Sequence, residues 1–195
     1  CTKNWFQRLF GARDRTETPP PPSGEAPKGA AVVAACWQWP IYSHTFVYQE
    51  MISLGATGLD VQLLHWDLTD TDDLHAAFEH LNQNRTLIQP DWQQHKQDKA
   101  HLEQAYPGKL RSFLERIAPP VDKSPDELEE APIVMQACTF TRQAELAGAR
   151  YLHSYFFYDQ SFMAMLAAWV LDLPRGVSCY ADHMMDDYEF KLVPL

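Results

Sequence analysis

At 195 residues and 46% apolar content, the chain is long enough for one well-buried domain and short for two. Its 16 basic and 26 acidic residues give a formal charge of −10, which leaves no basic stripe for phosphate backbones and excludes nucleic acid as a partner. No stretch reaches the ~20 apolar residues that a spanning helix needs.

Residues 2–10 read as a short amphipathic turn or two with Trp5, Phe6, Leu9 and Phe10 exposed, compatible with a peripheral membrane or partner anchor. Residues 13–28, with the run from Pro19 to Pro22, read as a stiff linker, so residues 1–29 stand apart from a body spanning 30–195. Residues 30–36 are wholly apolar and predict a central parallel strand. Residues 45–54 repeat at helical spacing, with Phe46, Val47, Met51 and Leu54 inward and Gln49 and Glu50 outward. A second strand is expected at 59–66, then a helix from about 72 to 81 capped by Thr71 or Asp72. Residues 83–117 read as polar helices with a short strand near 86–89. Pro119, Pro120 and the acids at 126–130 mark a loop or solvated face, and 133–146 form another helix.

The end of the body is the most informative part. A strand over 149–153 gives out at His153, Ser154 and Tyr155, a helix spans 161–171, and a last strand covers 176–180. A β-helix-β unit of this length predicts parallel strands joined by a right-handed crossover. The whole is α/β, with the strand order 3-2-1-4-5, and ligands are expected at the strands' C-terminal edge. His153 and the loop of residues 180–187 fall on that edge. The four cysteines, Cys1, Cys36, Cys138 and Cys179, are too far apart in sequence for a structural zinc site or a disulfide framework. They point to free thiols in a reducing compartment. A start at Cys1 and a stop in an apolar phrase suggest that both ends are cuts in a longer protein.

Three phrases carry a likeness. WPIYSHTFVYQE (39–50) resembles "FPxxSETFxxxE", YLHSYF (151–156) resembles "HxHAHF", and AMLAAWVLDLP leading into GVSCYADHMMDDY (164–188) resembles "AxLAAxLLGIP" followed by "FSFTAHAxDIY". In this order they resemble the N-terminal domain of a GT-B-fold, retaining, family 4-like bacterial glycosyltransferase of the exopolysaccharide or lipopolysaccharide type. The likeness implies a single Rossmann-like domain, an α/β/α sandwich with a parallel sheet. It implies cytoplasmic sugar transfer, peripheral at the inner face of the membrane, from a nucleotide-diphosphate sugar to a saccharide or lipid-linked acceptor. A C-terminal domain of the same protein would hold the donor, no metal or other cofactor would be needed, and this chain alone would be inactive. His44 stands where the family has glutamate, and Tyr180 where it has the histidine beside the transferred sugar.

His153 and His183 are the candidate catalytic residues, because an imidazole near pKa ~6.5 exchanges protons at neutral pH, and His153 reads equally as a satisfied core histidine bonded to a neighbouring strand's loop. Ser43 and His44 begin a helix whose N-terminus favours phosphate or a polar sugar, and they serve equally as a plain cap. Tyr155 and Tyr158 either floor a sugar subsite or pack, and Tyr180 borders the donor. Asp182 and Asp187 lie in the densest ionisable run, where Asp182–Asp186 and His183–Asp187 pair at i,i+4 on a helical turn. That run also admits helix capping or, distantly, a metal-dependent hydrolase. His65 is a lesser strand-end candidate, and His75, His80, His95 and His101 read as surface residues. A non-catalytic saccharide-binding or scaffold domain is the alternative to transfer.

Overall fold

The computed structural model describes residues 32–39, 45–68, 85–89, 91–156 and 158–178. Five strands, β1 (Val32–Trp39), β2 (Val61–Leu68), β3 (Arg85–Leu87), β4 (Leu152–Tyr155) and β5 (Arg175–Ser178), form one sheet in the order β3-β2-β1-β4-β5. Every neighbouring pair is parallel. Ala34 of β1 lies between Leu63 of β2 and His153 of β4, so the register places the candidate histidine beside the central strand. The strand order reverses between β1 and β4, and such a reversal opens a crevice at the strands' C-terminal ends.

Among the described residues six helices accompany the sheet: α1 (Thr45–Ala56), α2 (Trp92–Ala105), α3 (Lys109–Val121), α4 (Pro125–Glu129), α5 (Pro132–Leu146) and α6 (Asp159–Leu171); the helix expected over 72–81 lies outside those residues. Alternation along β2 divides the core in two. Val61 and Leu63 join Val47, Tyr48 and Met51 of α1 and Tyr155 of β4 on one face. Leu64 and Trp66 join Phe113, Phe140 and Phe162, from α3, α5 and α6, on the other. Nearly every side chain of α6 is buried, which explains why its sequence is apolar all round rather than striped.

Several boundaries differ from the sequence reading for physical reasons. β1 runs on through Trp39, where a loop is expected from Trp37, because β2 pairs with it as far as Leu68. β4 starts at Leu152 and runs through Tyr155, so His153 lies within the strand and not beyond its end. Polar residues are tolerated there because Ser154 Oγ and Ser161 Oγ of α6 share a buried hydrogen bond of 2.8 Å. α3 continues through Pro119 and Pro120, which are exposed, so of the loop or solvated face expected there it is the solvated face that forms. Buried Ile117 and Ala118 hold the last turn, and Asp122 closes it in the left-handed region at φ 53°, its N–H donating to Ala118 and Pro119 carbonyls. The acidic stretch becomes α4, begun by a reciprocal cap: Ser124 accepts from Glu127 N–H while the Glu127 carboxylate accepts from Ser124 N–H. No helix among the described residues is long and apolar enough to cross a membrane.

Candidate functional site

α1, β4 and β5 bring together three side chains far apart in sequence. Ser178 Oγ, on the last residue of β5, lies 2.9 Å from His153 Nε2, and it donates to Glu50 of α1 at 3.1 and 3.2 Å from the two carboxylate oxygens. Glu50 Oε1 is also 3.4 Å from His153 Nε2. Because the serine proton goes to the carboxylate, the serine oxygen is left to accept Nε2–H, which assigns the proton to Nε2 and the lone pair to Nδ1. The histidine side chain is only 13% exposed and that of Glu50 28%. Burial lowers the His153 pKa below its ordinary value, and the Glu50 charge pulls against that shift. The imidazole is therefore neutral at neutral pH.

This geometry is not that of a serine nucleophile triad. There the carboxylate binds the ring nitrogen opposite the serine, whereas here carboxylate and hydroxyl converge on the same Nε2. What the cluster offers is a neutral base with a carboxylate close enough to stabilise an imidazolium once a proton arrives. Glu50→Gln removes the one influence that raises the His153 pKa, so the value is expected to fall further. An NMR titration of the imidazole C–H signals reads this, and a rise would mean that the carboxylate does not act on the ring.

The surroundings hold the ring in place. Tyr151 stacks on His153 at 6.2 Å between centroids, and Tyr155 meets it edge-on at 4.9 Å. A Cβ on Gly176 would collide with the Tyr151 hydroxyl and lie 3.3 Å from His153 Nδ1, so glycine here makes room for both rings. After β4 the chain turns sharply at Phe156, φ 68°, and Gln160 Nε2 donates to the Tyr155 carbonyl at 2.7 Å while Ser161 donates to that of Phe156. α6 thus ties down the strand exit.

His153 and Tyr155 are brought together here, but Tyr155 is only 1% exposed and lies in the α1-side core, so it packs and offers no open floor for a sugar. Ser43, His44, Tyr180, Asp182, His183 and Asp187 lie outside the described residues, as do His75 and His80. His65 is fully buried within β2. His95 is also buried, against its expected surface position, because Thr139 of α5 accepts from its Nδ1 at 2.8 Å. Cys138 is buried, and burial pushes its thiol up to about 12, so it is no nucleophile. Among the described residues no three His, Cys, Asp or Glu side chains are grouped to hold a metal ion. Glu50 and Ser178 are the site residues that sequence reasoning missed. The signal for Glu50 was its place as the closing residue of the 39–50 phrase.

No family model, curated protein or solved structure matches the chain.

Proposed function

We propose that this chain is the acceptor-side, Rossmann-like half of a GT-B glycosyltransferase that moves a sugar, with retention, from a nucleotide diphosphate to a saccharide or lipid-linked acceptor. One observation carries the reading. Glu50, His153 and Ser178 stand in three separate phrases of the resemblance, and they meet in one hydrogen-bonded cluster. The strand order, reversing beside β4, supports a cleft on the same side of the sheet.

In this reading the acceptor oxygen joins the anomeric carbon on the same face from which the diphosphate departs, so configuration is retained, and His153 takes the acceptor's hydroxyl proton. Glu50 offsets the imidazolium charge, and a second domain holds the donor. Ser43, His44, Tyr180, Asp182, His183 and Asp187, outside the described residues, remain contacts proposed from the resemblance. Residues 1–195 alone should turn over little, since one domain does not exclude water from the reaction.

The test is incubation of the longer protein that carries this chain with a panel of nucleotide sugars and saccharide acceptors, following nucleoside diphosphate release and sugar transfer. His153→Ala is expected to slow transfer by roughly 10²–10⁴-fold, the usual worth of a positioned acid–base group. A wild-type protein that neither hydrolyses nor transfers any donor would sink the proposal. It would leave the second reading, saccharide binding without catalysis, which Tyr180 favours by standing where the family carries its histidine.

A further inference from the structure

The described structure holds a recess at the opposite end of β5 from Ser178. The first turns of α3 and the last of α6 frame an open cavity of about 790 Å³ whose lining includes Arg175, the first residue of β5. That volume suits a small molecule. The buried side chains Phe113, Ile117, Met165 and Ala168 back it and Trp169 is its exposed apolar wall, while its charged groups are Lys109, Arg116 and Arg175 against one acid, Asp172. Lys109 and Asp172 cancel one another in an ion pair at 2.6 Å. Two guanidinium groups are left over.

Those groups are set around a planar wall. Arg116 lies 5.7 Å from the centre of the Trp169 ring, and the Trp169 indole N–H donates to Ser112 Oγ at 3.0 Å, which fixes the ring's tilt. Trp169 remains 37% exposed, unusual for so large a ring beside a core. Arg175 makes no side-chain hydrogen bond or ion pair among the described residues, although neighbouring protein desolvates it and lowers its pKa. Its side chain is exposed, so the guanidinium is open to an anion from solution. The N-terminus of α3 adds to the positive potential, since Gly108 caps it with no side chain. On a chain of net charge −10 this is a local reversal of sign, which concentrates anions that the rest of the surface repels.

We propose that this groove binds a small organic anion, one with a flat apolar body and a doubly charged phosphate- or carboxylate-type group. The body lies on the exposed ring of Trp169, and the charge is shared by Arg116 and Arg175, whose planar forks suit such groups better than an ammonium does. Neither part depends on the glycosyltransferase reading.

The probe is 1-naphthyl phosphate, titrated into the 195-residue chain while the Trp169 indole N–H is followed by NMR. Inorganic phosphate and 1-naphthylmethylammonium are run in parallel. A saturable shift is expected with naphthyl phosphate, weaker binding with inorganic phosphate and none with the cation. Arg116→Gln and Arg175→Gln should each weaken binding roughly tenfold, the scale of one charge-assisted contact, and added sodium chloride should weaken it too. Both side chains are exposed, so the variants keep the fold, and their amide spectra verify it. The proposal is overturned by any of three results: no saturable shift at millimolar probe, an equal response to the cation, or undiminished binding in both variants.

Discussion

Phe113→Ala is expected to lower folding stability by roughly 3–5 kcal/mol, the range for deleting a buried aromatic ring. The ring is 1% exposed and meets Phe162 edge-on at 5.8 Å and Trp169 at 6.3 Å. It lies in the middle of the buried stripe of α3, Leu110, Phe113, Leu114, Ile117 and Ala118, at the spacing of one helix face. The hole cannot close easily, because α6 is held to β4 by the Ser154–Ser161 bond and packs along α5. At about 2–4 °C per kcal/mol for a chain of this size, the melting temperature should fall well outside experimental scatter. Urea denaturation checks the figure. A loss below about 1 kcal/mol would show that α3 lies outside the cooperative core, since truncation of a ring within such a core costs far more.

The parallel sheet was legible because buried parallel strands are apolar on both faces, a pattern that residues 30–36 show outright and 59–66 show less cleanly, interrupted by Asp60, Gln62 and His65. β4 is less so. His153, Ser154 and Tyr155 look like the end of a strand until their partners, Glu50, Ser161 and Ser178, are known. Helical periodicity places Glu50 on the border of the Val47–Met51 stripe, and polarity then assigns it to solvent. Periodicity does not say which strand lies beneath a helix, so the turn of Glu50 toward β4 and β5 is invisible in it. The polar helix α2 misled in the same way. His95 and Asp98 are i,i+3 neighbours that look solvated, and the group that lets them be buried, Thr139, comes from another helix. The two prolines of α3 illustrate the converse, local stop signals overridden by burial of Ile117 and Ala118.

Stability should fall as pH drops below about 6.5, the ordinary imidazole value, and Thr139→Val should lower it at every pH. His95 and His153 are both held below that value, His95 by burial against the pull of Asp98 and Asp91, and His153 by burial against that of Glu50. Above the ordinary value both rings are neutral whether the chain is folded or not. Below it the unfolded chain takes up protons first, so stability is lost until the pH has passed the depressed folded-state values. Glu145 acts in a separate and more acidic window. Burial pushes its carboxyl up, but hydrogen bonds from Tyr106, Arg142 and His101 outweigh that and hold it below its usual range, so its contribution fails only in stronger acid. The urea midpoint from about pH 8 to about pH 5.5 therefore isolates the histidines, and His95→Gln and His153→Gln should each flatten the curve. A midpoint constant across that range would refute the assignment. Thr139 matters because its hydroxyl accepts His95 Nδ1–H and donates to Asp98 Oδ2, both at 2.8 Å, while Gln94 Nε2 donates to Asp98 Oδ1 at 3.0 Å. Valine has the same shape without the hydroxyl, so it leaves the buried His95 N–H without its acceptor and Asp98 Oδ2 without this donor, at a cost of about 1–3 kcal/mol. Loss of less than about 0.5 kcal/mol on Thr139→Val would mean that water replaces the hydroxyl and that this part of the α2–α5 interface is wet.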